Sequence, residues 1–272
     1  MKQLHLSILT LFILLSSCSP HPKPPSIKQG LYSSQIITDT INSKFLNEER
    51  KLTIYLPSDT KKTANLPVVY AADGQIFLED YKADLDSLIK NRIAPKFIFV
   101  GVHSNERPIN DSKLQYRNYE YLHNYADADN LELSTLFDNH MSLFSEEVIS
   151  FVESNYPVSN SPTSRIFYGA SNGAGFGVSM SAQHPLLIKK YICLSMAGGN
   201  YSTLDWDPND YPHFVISYGE KEPFPLTMQI DEFHNFLESS NFSHTFYKYE
   251  GGHTRSDWKK QFLNQISVVL TK

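Results

Sequence analysis

Cysteine is almost missing from this chain. Of 272 residues only Cys18 and Cys193 are cysteines, too few for a disulfide framework or a cysteine-built metal centre. No His-Glu-x-x-His pattern is present, so no zinc-hydrolase motif exists and no metal is expected. Basic charge is not in excess. Lys and Arg number 24 against 29 Asp and Glu, a net charge of -5, which argues against a nucleic-acid partner. Beyond the first 15 residues no apolar run is long enough to span a bilayer. No internal repeat is visible, which sets aside solenoids and propellers.

What is present begins with a charged Lys2 and an apolar run from Leu4 to Leu15. The run is short for a membrane span and suits a signal peptide, residues 1–17. Leu15-Ser16-Ser17-Cys18 resembles the lipobox of bacterial lipoproteins. That resemblance implies cleavage before Cys18, lipid on its sulfur, and a protein anchored to the bacterial cell envelope, periplasm-facing or at the surface. Residues 18–33, with four prolines between Ser19 and Ser26, read as a tether. Residues 34–272 are expected to form one domain. Cys193, in Tyr191-Ile192-Cys193-Leu194, then has no partner and reads as a small core residue.

Within that domain, Ser34–Asn42 and Lys51–Tyr55 alternate apolar and polar residues, as an antiparallel pair with one wet face would. Leu66–Ala72, Phe97–Val102, the Ile166 and Ile192 runs, and His213–Tyr218 are continuously apolar, as strands buried on both faces are. His244–Tyr249 is a further strand. Helical spacing is seen at Phe77–Leu88, Met141–Glu153, Thr227–Leu237 and Asp257–Val269. The alternation predicts an α/β fold, a mostly parallel sheet with helices on both faces. Such sheets bind ligands beyond the carboxyl ends of their strands.

One stretch gives that end of the sheet a chemistry. Arg165-Ile166-Phe167-Tyr168 is strand-like, Gly169-Ala170-Ser171-Asn172-Gly173 follows at once, and helical character continues to Pro185. Strand, Gly-x-Ser-x-Gly, helix is the setting of a nucleophile elbow, where the turn is tight enough that the residues two before and two after the serine must be small. Gly175 and Gly177 are expected to let the helix approach the sheet. A dinucleotide loop would need Gly-x-Gly-x-x-Gly in a first βα unit, and the spacing here differs. The plain alternative is a Gly/Ser-rich connection.

A serine needs a base, and the base needs an orienting group. Of ten histidines only His253, in Glu250-Gly251-Gly252-His253, lies in a glycine-hinged turn between the last strand and last helix. The acid belongs after the preceding strand, in Tyr218-Gly219-Glu220-Lys221-Glu222-Pro223. Glu222 and Glu220 are both candidates. Glu222 is preferred, since it sits deeper in the turn and directly before a proline. The order Ser, acid, His is that of α/β-hydrolases. Oxyanion donors are expected from the backbone N–H of Asn172 and, in the turn Ala72-Asp73-Gly74-Gln75, from that of Gln75. This chemistry needs no cofactor. His103, His123 and His140 lie in or near loops and could touch substrate, although a structural or solvated role is the commoner fate of such histidines.

Several segments, in order, resemble the putative esterase family of α/β-hydrolases, which includes enterochelin-type siderophore esterases, feruloyl and acetyl esterases, S-formylglutathione hydrolase and the mycolyltransferases. They are Ile54–Pro57, Val69–Gln75, Arg117-Asn118-Tyr119-Glu120-Tyr121, Phe144–Tyr156 running into the serine motif, Tyr218–Glu222, and Tyr249–Trp258. The resemblance covers about residues 34 to 270. It implies Ser171 as nucleophile, His253 as base, Glu222 as acid, and Gln75 and Asn172 as the oxyanion hole. Asn172 stands where the family often has Met, and the acid is often Asp.

The reaction expected is hydrolysis of a carboxylic ester through an acyl-enzyme, the substrate a siderophore ester or a polysaccharide-linked acyl ester. Two tyrosine-rich stretches, Ser104–His140 and Gly198–Pro212, leave the carboxyl side of the sheet. Arg117, Tyr121 and Trp206 are the side chains there expected to meet substrate. The aromatics of these loops suit stacking on a sugar or aromatic acyl group, or else packing of the loops themselves. An acyltransferase on the same triad and a non-catalytic envelope binding protein are the rival readings.

Overall fold

Eight strands form one sheet in the order β1-β2-β4-β3-β5-β6-β7-β8. The computed structural model describes residues 33–109, 113–125, 130–201 and 210–271, apart from the side chains of residues 77–80. Cys18 and Trp206 lie outside the described residues, as do the segments expected to be signal peptide and most of the tether. β1 (Gln35–Ser43) and β2 (Glu48–Leu56) make the antiparallel start, and β2 is also antiparallel to β4. β3 (Val68–Ala71), β4 (Ile98–Val102), β5 (Arg165–Ala170), β6 (Lys190–Leu194), β7 (His213–Gly219) and β8 (His244–Tyr249) run parallel.

The strand sequences explain the layers. β3 to β7 are apolar at successive positions because both faces are covered. Tyr55, Val69, Phe99, Ile166, Tyr168 and Val215 pack with α1 (Gly74–Lys90) and α7 (Arg255–Thr271). Their neighbours Ile54, Tyr70, Val100, Phe167 and Phe214 pack on the other face. That face carries α3 (Leu131–Ser142), α4 (Ile149–Asn155), α5 (Asn172–Gln183) and α6 (Phe224–Ser239), together with the short α2 (Tyr116–Tyr121). Each Phe fully buried there is worth about 1.5–3 kcal/mol of transfer free energy. Cys193 is in this core, where burial pushes its thiol pKa up and keeps it a neutral thiol. Among the described residues no helix is long and apolar enough to cross a membrane.

The helix expected from Met141 begins ten residues earlier. Asn130 caps it, its side chain accepting from the N–H groups of Glu132 and Leu133. Leu133, Leu136, Phe137, His140 and Met141 form the buried stripe. A wide turn at Leu143–Val148 absorbs an extra residue before α4 continues. α2 also lies in what reads as loop, because six residues give too short a periodicity to register.

The chain leaves β3 toward β4 on one side and β5 toward β6 on the other. β3 and β5 are neighbours, so a crevice opens between their carboxyl ends, where a doubly wound sheet binds its ligand. Asp73 and Ser171 follow those two strands.

Candidate active site

β5 ends at Ala170 and α5 starts at Asn172, so Ser171 alone makes the turn. Its backbone is at φ 53, ψ −128, a region where a non-glycine residue is strained by about 1–3 kcal/mol. The surrounding bonds hold it there. Its N–H donates to the Leu194 carbonyl at 3.0 Å, and its own carbonyl accepts from Ala174, Gly175 and Ala197. The glycine spacing has a direct cause. A Cβ at Gly169 would sit 2.5 Å from the Gly173 carbonyl oxygen, and one at Gly177 would sit 2.1 Å from the Phe167 ring.

The loop after β8 carries His253. Gly252 N–H donates to Asp257 Oδ2 at 2.9 Å, and Lys221 N–H donates to the Gly251 carbonyl at 2.9 Å, which fastens this loop to the one after β7. His253 Nε2 then lies 3.0 Å from Ser171 Oγ, and its Nδ1 lies 3.1 Å from Glu222 Oε2. The Glu222 side chain is fully buried, whereas Glu220 is exposed and points to solvent. Burial by itself would raise the Glu222 pKa. Hydrogen bonds from His253, Ser195 and the Gly219 N–H outweigh it and hold the carboxyl below its ordinary value. Glu222 is therefore an ionised, fixed acceptor, which suits orienting an imidazole with its proton on Nδ1.

Sequence reading missed two residues here. Ser195 Oγ donates to Glu222 Oε1 at 2.5 Å, and Trp258 Nε1 donates to Ser195 Oγ at 2.7 Å. The Trp258 ring also stands perpendicular to the His253 ring at 4.7 Å. Trp258 was visible only as the end of a family-like segment, and Ser195 carried no signal.

The two expected oxyanion residues stand at helix starts. Asn172 is the first residue of α5 and Gln75 the second of α1, positions whose N–H groups have no intrahelical acceptor. Neither N–H has an acceptor among the described residues. The turn at Asp73 is heavily braced. Asp73 is left-handed at φ 58, and its N–H donates to the Tyr121 hydroxyl at 3.0 Å. Arg117 grips its carboxylate through Nε to Oδ1 at 2.5 Å and through a second nitrogen to Oδ2 at 2.6 Å. Ser104 Oγ donates to Oδ1 and accepts from Gln75 Nε2. Burial works against the Arg117 charge, but the Asp73 carboxylate more than offsets it and raises its pKa.

A cleft of about 330 Å³ opens above the serine. Its walls include Ser171, His253, Trp258, Ile76, Arg117, Arg255 and Glu106. Arg255 and Glu106 were not anticipated. Arg117 reaches this cleft, but its fork is already spent on Asp73. Tyr121 is 1% exposed, wedged beside Phe176 under the Arg117 guanidinium, so it supports the turn from below instead of facing a substrate. His140 is likewise inside, fully buried against Tyr121 and Phe176, and is no substrate contact. His103 hydrogen-bonds Thr53, and His123 packs on Phe137. The loop tyrosines mostly hold the loops down: Tyr201 on Phe233, Tyr211 on Phe242, and Tyr119 on Tyr125.

The family model described as "Putative esterase" matches residues 43–267. No curated protein matches the chain in sequence. Among solved structures, a ferulic acid esterase superposes with a TM-score of 0.70 at 18% identity, covering 88% of this chain and 99% of its own. The S-formylglutathione hydrolase of Staphylococcus aureus superposes at 0.63 with 13% identity, covering 87% and 99%. The enterochelin esterase of Shigella flexneri superposes at 0.66 with 15% identity, covering 92% of this chain and 60% of its own. These likenesses agree on the α/β-hydrolase fold. The family match spans most of the chain, and the chain belongs to that family of carboxylic ester hydrolases.

Proposed function

We propose that this member of the Putative esterase family cleaves carboxylic esters by a Ser171–His253–Glu222 triad. The observation that carries the reading is the unbroken hydrogen-bonded line from Ser171 Oγ through both His253 nitrogens to the buried Glu222, at 3.0 and 3.1 Å, ending on a serine held at strained φ. His253 Nε2 takes the Ser171 proton as Oγ attacks the ester carbonyl. The N–H groups of Asn172 and Gln75 bind the oxyanion. His253 then protonates the departing alcohol and an acyl-enzyme remains. Water gives a proton to His253 as it attacks the acyl carbonyl, and the acyl–Oγ bond then breaks with that proton passing to Ser171 Oγ, freeing the acid. Glu222 keeps the Nδ1–H tautomer throughout.

The cleft supports an acyl group with a flat ring and polar substituents. Trp258 and Ile76 give it an apolar wall, while Arg255 and Glu106 stand at its rim. An aromatic acyl ester carried by a siderophore or a polysaccharide fits that mixture. Lipid on Cys18 would place the domain at the bacterial envelope, where such esters arrive.

A fluorophosphonate probe tests the nucleophile. Label should map to Ser171 and disappear in His253→Ala. Folded protein left unlabelled at Ser171 would overturn the triad. Product analysis with an added alcohol acceptor would show transfer in place of hydrolysis if the enzyme is an acyltransferase.

A further inference from the structure

Ser195 follows β6 with its backbone at φ 50, a left-handed conformation that is unusual for serine. It is fully buried, and its N–H is spent on the Ser217 carbonyl at 2.7 Å. The strain places its hydroxyl between three groups: Glu222 Oε1 at 2.5 Å, Trp258 Nε1 at 2.7 Å and the Tyr249 hydroxyl at 3.2 Å. Distance sets the protons in this cluster, since Glu222 at 2.5 Å is a much shorter reach for the Ser195 hydroxyl than Tyr249 at 3.2 Å. An indole nitrogen only donates, and an ionised carboxylate only accepts. Ser195 Oγ therefore accepts from Trp258 and sends its single proton to Glu222. Oε1 is then filled by Ser195 and by the Gly219 N–H at 2.9 Å, with the Tyr249 hydroxyl at 3.3 Å. Oε2 is left for His253.

We propose that Ser195 and Trp258 are positioning residues that extend the triad, fixing which oxygen of Glu222 meets His253. The inference rests on the triad reading above. Trp258 acts twice. Its N–H polarises the Ser195 hydroxyl and strengthens that hydroxyl's bond to the carboxylate. Its ring, perpendicular to the His253 imidazole at 4.7 Å, limits rotation of that imidazole. Because Trp258 also walls the cleft, one side chain touches the acid's support, the base and the space for substrate. The left-handed backbone of Ser195 is what this arrangement requires, since an extended residue there would turn the hydroxyl off the carboxylate.

The test is a mutant cycle on the full-length protein with p-nitrophenyl acetate as ester. A hydrogen bond to a charged group predicts that Ser195→Ala lowers kcat by about 10- to 100-fold, with KM unchanged because Ser195 is buried away from the cleft. Trp258→Phe keeps the ring and loses one neutral donor, for a loss of about 2- to 10-fold. This second variant decides the matter if Ser195→Ala does not fold. On a Glu222→Gln background Ser195→Ala should lower kcat no further, because Ser195 acts only through that carboxylate, and Trp258→Phe should keep no more than the part of its effect that the ring exerts directly on His253. Unchanged kcat in both single variants, or losses that persist in full without Glu222, would overturn the positioning role while leaving the triad intact. A Glu222→Gln variant with normal turnover would overturn the triad itself, and the extension with it.

Discussion

Arg117→Met is expected to damage this protein in a way that a second substitution repairs. Arg117 is the two-point partner of the Asp73 carboxylate, whose side chain is 3% exposed. Removing one member of a buried pair typically costs about 3–5 kcal/mol, because the remaining charge is stranded. The Arg117 side chain keeps 18% exposure, and Ser104 still donates to Oδ1. Both soften the loss, so about 2–3 kcal/mol is expected by the same reasoning. The urea midpoint at pH 7 should fall accordingly with little change in slope. Adding Asp73→Asn should restore at least half of the loss, since a neutral amide is cheaper to leave buried than an unpaired carboxylate. Turnover reports the other consequence. Asp73 starts the turn that leads to the Gln75 N–H, and loosening it should lower kcat by about 10-fold, less than the 100- to 1,000-fold typical of deleting an oxyanion donor. If Arg117→Met leaves stability unchanged, or if Asp73→Asn adds to the damage, the braced-turn account is wrong and Arg117 is free to serve substrate.

The two glutamates after β7 should separate cleanly. In Glu222→Gln, Ser195 and Gly219 would fix the amide oxygen and leave its NH₂ to face His253 Nδ1, favouring the wrong tautomer. A loss of about 10⁴ in kcat is expected, as for the equivalent acid-to-amide change in a serine protease, and exposed Glu220→Gln should stay within about twofold. Equal effects would remove Glu222 from the triad. His140→Met should stabilise the protein. Both ring nitrogens of His140 are buried without a partner, and its Nδ1 is 3.9 Å from Glu120. Burial first, then the nearby Arg50 charge, holds its pKa well below 6.5. The unfolded chain takes up a proton near pH 6.5 that the folded one refuses, so wild type loses stability as pH falls. The gain from His140→Met is thus expected to be larger at pH 5 than at pH 8, by up to about 1.4 kcal/mol per unit below 6.5. Urea unfolding at the two pH values measures it, and an equal gain at both would show that His140 is protonated inside the fold.

Some of this is written locally in the chain. The continuous apolar runs of β3 to β7 have no use except burial on two faces, so the parallel sheet follows from them. Gly169 marks a turn with no room for a side chain there, since a Cβ would meet the Gly173 carbonyl four residues on, and that clash is legible within the turn's own five residues. The order of Ser171, Glu222 and His253 along the sequence and their places after strands were visible for the same reason. Other features are decided only when distant segments meet. Glu220 and Glu222 differ by two positions in one loop, and only the approach of the His253 loop tells the buried one from the exposed one. Ser195 is one of many serines until β6, β7 and α7 bring Glu222 and Trp258 to its hydroxyl. Arg117 and Tyr121 read as substrate contacts from their loop. The fold ties both to Asp73, 44 residues from Arg117, and leaves Arg117 alone of the two lining the cleft, because a buried carboxylate must find a cation and a buried backbone N–H must find an acceptor. Periodicity and turn chemistry are properties of neighbours in sequence. The pairing of buried polar groups is a property of neighbours in space, and here it decides which side chains face the cleft and which hold it together.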